Sequence, residues 1–215
     1  MNPWITILGG SQSGKTDFAH AICAPFDDVV WWGTGSSQLE VPEWQSRLES
    51  LRAARKGSWH TLDGPLIGPN SFAALSAGVP PDHRKAKVFV LDSLNLWLAA
   101  LLNESTARYS MSQAKVHLEL EFQQLLKSLR ALPCAVLVVS AEVGSGVVPA
   151  GEAGRLFRDL LCAWNRSIVQ FSRHGISMQA GRALLWPGGQ TQLPPDGAPV
   201  LCVDEVYVRR LLCPV

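Results

Sequence analysis

Gly9-Gly10-Ser11-Gln12-Ser13-Gly14-Lys15-Thr16, directly after the apolar run Trp4 to Leu8, decides the fold. The stretch satisfies the phosphate-loop pattern G-x-x-x-x-G-K-[ST] in full. Glycines let the backbone curl until successive N–H groups face a phosphate chain. Lys15 brings a mobile positive charge to the β and γ phosphates, and the Thr16 hydroxyl is a ligand for Mg²⁺. Ile5 to Leu8 reads as a buried strand and Thr16 to Cys23 as a helix whose N-terminal dipole adds to the anion site, with Pro25 stopping that helix. A glycine-rich turn that binds nothing would have to place Lys-Thr at this offset by chance. Gly9, Gly10, Ser11, Gln12, Ser13, Gly14, Lys15 and Thr16 are therefore assigned to the phosphates of a nucleoside triphosphate, ATP or GTP.

Outward from the loop, strand-like runs recur at Asp28 to Gly33, Lys87 to Asp92 and Cys134 to Ser140, with shorter candidates at Trp59 to Leu62 and Ile176 to Gln179. Helical patterns fall between them, at Val41 to Arg55, Ser71 to Ala77, Leu94 to Leu102, Ser112 to Leu132 and Glu152 to His174. This alternation predicts an α/β fold of the P-loop NTPase type, a doubly wound and mostly parallel sheet flanked by helices. Residues 1–186 are expected to form one nucleotide-binding domain. Pro187 to Pro199 reads as a Pro/Gly-rich linker, so 187–215 form a tail whose Val206, Val208, Leu211 and Leu212 pack either on the body or on a neighbouring subunit.

Composition narrows the partners. In 215 residues, 19 Lys and Arg nearly balance 18 Asp and Glu, and no basic stripe with interleaved aromatics occurs, which argues against a nucleic-acid surface. The nearest candidate, Arg47 to Lys56, mixes Glu49 among its arginines and reads as a solvated helix face. Five cysteines without C-x-x-C spacing argue against a disulfide framework or a zinc site and for a reducing cytoplasm. Neither a signal-peptide pattern nor a membrane-spanning apolar run is seen. The eight tryptophans are assigned mainly to the core and to subunit contacts.

In an open parallel sheet, ligands gather at the carboxyl ends of the strands. Asp92 closes Val88-Phe-Val-Leu, where a carboxylate holds Mg²⁺ as the partner of Thr16; capping the next helix is the other role open to it. Thr34, Gly35 and Ser36 follow the second strand, able to admit a nucleotide or simply to turn the chain. Glu142-Val-Gly-Ser-Gly-Val-Val-Pro149 supplies a carboxylate on a glycine-bearing loop. Arg155, Arg158 and Asp159 share a helix face and either bind phosphate or pair with each other. The five histidines show no metal-ligand spacing.

These residues, with Trp59-His-Thr-Leu-Asp63, Val90-Leu-Asp-Ser-Leu-Asn-Leu-Trp-Leu98, Val138 to Pro149 and Phe157-Arg-Asp-Leu-Leu161 with Asn165, resemble the bifunctional adenosylcobinamide kinase and adenosylcobinamide-phosphate guanylyltransferase. The likeness spans roughly residues 4 to 181. It implies a role in cobalamin assembly. There, a nucleoside triphosphate phosphorylates the aminopropanol hydroxyl of adenosylcobinamide, and GTP then donates GMP to that phosphate through a guanylylated histidine. It further implies Asp63 at the nucleotide site and a homotrimer. One departure is large. The family histidine lies in a helix shortly before the Trp-x-Thr motif, and Arg47-Leu-Glu-Ser-Leu-Arg-Ala-Ala-Arg55 contains none; by spacing, Ser50 or Leu51 occupies its place. Neither serine without a base nor leucine replaces a nucleophilic imidazole. Ala141 and Ser145 also stand where the family has Asn and Met. The expectation is a Mg²⁺-dependent small-molecule kinase with Lys15, Thr16 and Asp92 as its working residues and guanylyltransferase activity in doubt. Its alternatives are a nucleotide-binding regulatory protein and a kinase with another acceptor.

Overall fold

The computed structural model describes residues 3–35, 42–65, 86–187 and 201–212. The sequence first forms strand β1 (Trp4–Gly9), helix α1 (Lys15–Cys23), β2 (Val29–Gly33), α2 (Pro42–Ala53) and β3 (His60–Asp63). Then follow β4 (Val88–Asp92), α3 (Leu94–Arg108), α4 (Met111–Ala131), β5 (Ala135–Ala141), α5 (Glu152–Phe171) and β6 (His174–Gln179). β7 (Arg182–Pro187), β8 (Leu201–Val203) and α6 (Glu205–Leu212) complete the described elements.

The strands form one sheet in the order β3-β2-β4-β5-β1-β6-β7-β8. β3 through β6 in that order run parallel, and β7 and β8 are added antiparallel at one edge. The mostly parallel α/β sheet predicted from the alternation is the fold observed. The central strands bury both faces, so they read as continuous apolar runs instead of alternating ones. Trp32, Phe89, Leu91, Val136 and Val138 face one layer with Leu98, Phe122 and Trp164 from α3, α4 and α5. Ile5, Ile7, Trp31, Val90 and Leu137 face the other, with Ala19 and Ile22 of α1 and Val208 and Leu212 of α6. Trp4, Trp31, Trp32, Trp59, Trp97 and Trp164 are all buried, in agreement with a core role.

Helix boundaries explain themselves locally. Ser110 forms a capping box with Gln113, which starts α4. α5 stops at Phe171, short of the predicted His174, because His174 already pairs with Pro187 in β6–β7. The tail packs on the body: Val208 and Leu212 are buried, and the Arg209 guanidinium donates to the carbonyls of Ala21 and Ile22 at 2.9 and 3.1 Å, satisfying acceptors at the end of α1. The predicted helix at Ser71 to Ala77 lies outside the described residues.

Candidate nucleotide and metal site

The loop at the end of β1 is held in shape from three sides. A Cβ at Gly9 would stand 2.5 Å from the Met178 carbonyl oxygen and 2.7 Å from Ser13 Oγ, so only glycine fits between β1 and β6. Gly14 has φ +91°, which glycine adopts without strain, and its carbonyl accepts from the Phe18 N–H as α1 begins. The Glu142 N–H donates to the Gly9 carbonyl at 2.9 Å and the Gly181 N–H to the Ser13 carbonyl at 3.2 Å, tying the loop to the β5 end and to the β6–β7 turn. Lys15 folds back over the loop, its Nζ donating to the Gly10 carbonyl at 2.6 Å and to Ser13 Oγ at 3.4 Å.

Thr16 Oγ1, at the start of α1, donates to Asp92 Oδ1, at the end of β4, over 3.1 Å. The helix-cap position after β4 belongs to Ser93, one residue beyond Asp92. A hydroxyl and a carboxylate side by side are hard oxygen donors, and the described residues contain no cluster of three or more His, Cys, Asp or Glu. That set fits Mg²⁺, which keeps most of its shell as water and substrate phosphate and takes one or two protein oxygens. Thr16 and Asp92 would hold it, and it would neutralise phosphate charge there.

A cavity of about 650 Å³ opens over this pair, lined by Ser11 to Thr16 on one side and by residues of the β2 end, α2, the β4 end and the β5 loop on the others. Of the sequence-derived candidates, Ser11, Gln12, Ser13, Gly14, Lys15, Thr16, Gly35, Asp63, Asp92 and Glu142 share this lining. Gly9 and Gly10 lie behind it as backbone supports. Thr34 sits beneath the wall, fully buried, its hydroxyl donating to the Ser93 carbonyl at 2.6 Å and accepting from the Ser93 N–H at 2.9 Å. It clamps the β2 end to the β4–α3 turn. Ser36 lies outside the described residues. The Asp63 carboxylate is taken by Arg52 Nε at 3.0 Å and Arg55 Nη1 at 2.9 Å. Glu142 Oε1 accepts from the Gly144 N–H at 3.0 Å, curling its loop back on itself.

Sequence reading assigns no role at the site to Asn95 or Arg55, both on the cavity wall. Asn95 lines the wall and accepts from the Ala141 N–H at 3.0 Å, which joins α3 to the β5 end. Asn165 buttresses the same end from behind, accepting from Ser140 Oγ at 2.7 Å and donating to the Ala141 carbonyl at 2.9 Å. The solvated-face reading of Arg47 to Lys56 fails at Arg55, whose side chain is only 6% exposed. Arg52 and Lys56 do face solvent. Arg158 pairs with Asp159 at 2.8 Å, and Arg155 donates to the Pro149 and Ala150 carbonyls, so it staples the β5 loop to α5.

The two positions to which spacing assigns the histidine implied by the resemblance are on this wall too. Ser50 and Leu51 both line the cavity, and Ser50 Oγ donates to the Ser46 carbonyl one turn back along α2. No histidine is among the described lining residues. His20 lies beneath, 4.2 Å from the Trp31 ring, and burial, aided by the Arg55 charge, lowers its pKa below 6.5.

Comparison with known proteins identifies the family. Residues 5–185 match the profile of the family described as cobinamide kinase / cobinamide phosphate guanyltransferase. The chain is 33% identical over 153 residues to the bifunctional adenosylcobalamin biosynthesis protein CobP of Pseudomonas aeruginosa, covering 71% of this chain and 79% of that one. It is 25% identical over 170 residues to the bifunctional adenosylcobalamin biosynthesis protein CobU of Escherichia coli, covering 77% and 89%. With the loop, the Thr16–Asp92 pair and the parallel sheet in place, the chain belongs to the cobinamide kinase / cobinamide phosphate guanyltransferase family.

Proposed function

We propose that this protein is a Mg²⁺-dependent kinase that moves the γ-phosphoryl group of ATP or GTP to the aminopropanol hydroxyl of adenosylcobinamide, and that it does not transfer GMP through a histidine. The hydroxyl oxygen forms the new bond to phosphorus, the nucleoside diphosphate leaves, and the hydroxyl proton is released. The observation that carries this reading is the 3.1 Å contact of Thr16 with Asp92, which sets the hydroxyl of the phosphate loop beside a carboxylate able to hold Mg²⁺. Lys15 offsets negative charge on the transferring group, and loop N–H groups orient the chain. Such sites act mainly by position and electrostatics.

What α2 presents supports the absence of GMP transfer. Ser50 and Leu51 face the cavity where an imidazole nucleophile is needed, and the Ser50 hydroxyl is committed to its own helix. A homotrimer belongs to the same proposal on the family resemblance, and a cytoplasmic location on the cysteine usage. The test is incubation of the protein with adenosylcobinamide, Mg²⁺ and labelled ATP or GTP. The expected result is phosphorylated cobinamide and no acid-labile protein adduct from α-labelled GTP. Triphosphate binding without consumption of cobinamide would point to a regulatory nucleotide-binding protein or to another acceptor. A guanylylated histidine would show that the nucleophile lies elsewhere.

A further inference from the structure

Arg55 follows α2, and its side chain is 6% exposed although arginine is rarely buried without full pairing. Its seat is built for it. The guanidinium carbon lies 5.7 Å from the centroid of the Trp31 ring, and Gly33 leaves the space open, since a Cβ there would stand 2.5 Å from Nη2. Nη1 donates to Asp63 Oδ1 at 2.9 Å, whereas Nε is buried with no acceptor among the described residues.

Asp63 does not compensate this charge fully. Its other oxygen is held by Arg52 Nε at 3.0 Å, so among the described residues two guanidinium groups share one carboxylate and one positive charge is left over. Among the described residues no other carboxylate lies within ion-pair reach of Arg55; the cavity's Asp92 accepts from Thr16 and its Glu142 from the Gly144 N–H. A buried cation short of counter-charge is costly, and an arriving anion offsets that cost. Arg55 lines the same cavity as Ser11 to Thr16.

We propose that Arg55 is a second phosphate-binding cation of this cavity, meeting phosphoryl oxygens of the bound nucleotide from the α2 side while Lys15 meets them from the loop. This rests on the kinase reading only in taking a nucleoside triphosphate as the ligand. A planar guanidinium suits the role because its donor fork matches two phosphoryl oxygens at once. The competing role is a latch that only ties α2 to β3 through Asp63.

Titration calorimetry of the full chain with Mg²⁺ separates the two, using the β,γ-imido triphosphates of adenosine and guanosine beside the corresponding monophosphates. Arg55→Gln is expected to weaken triphosphate binding by roughly ten- to a hundredfold, the loss of a charge-assisted hydrogen bond, and to narrow the triphosphate-over-monophosphate ratio. Arg52→Gln leaves Asp63 to pair with Arg55 alone while keeping the Arg55 donor fork, and is expected to narrow that ratio less than Arg55→Gln does. An unchanged ratio in Arg55→Gln, or an equal change in both variants, overturns the proposal. Should Arg55→Gln fail to fold, Gly33→Ala displaces the guanidinium without deleting it; a narrowed ratio there supports the proposal, and an unchanged one overturns it. Adenosylcobinamide phosphate, titrated in parallel, is expected to bind Arg55→Gln as it binds wild type, and a loss confined to that compound would overturn assignment to the nucleotide. Failure of wild type to bind any triphosphate would instead refute the nucleotide reading itself.

Discussion

Replacing Gly9 by alanine isolates the demand that the phosphate loop makes on the sheet. The new methyl carbon would lie 2.5 Å from the Met178 carbonyl oxygen, about 0.5 Å inside the closest approach of 3.0 Å that such carbons tolerate. The obstacle is backbone, and Met178 is the residue paired with Gly9 across β1 and β6. No side-chain rotation relieves it, so the strands must separate or the loop must tilt. Ser13 Oγ, 2.7 Å away, blocks the tilt. Overpacking of this kind costs about 1–3 kcal/mol. For a chain of this length each kcal/mol moves the melting midpoint by about 2–4 °C, giving a fall of roughly 2–12 °C. Gly10→Ala is the matched control, because a Cβ there meets nothing within 4 Å and the residue is outside the left-handed region. Its midpoint should stay within about 2 °C of wild type. Differential scanning calorimetry reads both, with and without triphosphate, and the ligand-induced rise should also shrink in Gly9→Ala because the loop it binds has moved. A Gly9→Ala protein that melts and responds to nucleotide like wild type would refute the close-packing argument.

Asp92→Asn and Thr16→Val should each lower kcat for phosphoryl transfer by about a hundredfold or more while leaving the melting midpoint near wild type, since the pair is only partly buried and placed for the metal. Stability should fall as pH drops below 6.5. His20 and His174 have folded-state pKa values below that ordinary value, chiefly through burial, so the unfolded chain binds their protons first. Their contribution is complete above 6.5 and lost as pH falls through the lowered values; His20→Gln should show a shallower loss in urea titrations between neutral pH and pH ~5. Restoring an imidazole to the α2 wall by Ser50→His or Leu51→His should give a GTP-dependent, acid-labile label in at least one of the two, because both positions line the cavity.

The half of the site built from contiguous chain was legible in the sequence. The phosphate loop is a single stretch, and Asp92 ends a β-branched run whose strand character is plain. The remainder depends on contacts between distant segments. Arg55 and Asp63 are eight residues apart, yet their pairing needs α2 to lie against the β2–β3 edge, which no local pattern states. Arg55 therefore looks like one more surface charge until Gly33 and Trp31 are seen beneath it. β7 was missed because its hairpin turn is Ala180-Gly181, with both residues at positive φ. Alanine seldom adopts that conformation and carries none of the Asn-Gly or Asp-Gly signal of such turns. α3 runs on to Arg108 through Asn103, Ser105 and Thr106, residues of low helix propensity. Packing overrides the propensity: Ser105 is buried and bonds to His117 on α4, and Thr106 returns its hydroxyl to the Leu102 carbonyl. β8 is three residues long and becomes a strand only through its pairing with β7.

The most direct measurement follows transfer of label from γ-labelled ATP and GTP to adenosylcobinamide in the presence of Mg²⁺, for wild type and for Lys15→Ala. The account predicts a phosphate monoester on the aminopropanol hydroxyl with wild type and loss of nearly all of it with Lys15→Ala. No labelled cobinamide with either nucleotide, or equal turnover in the two proteins, would contradict it.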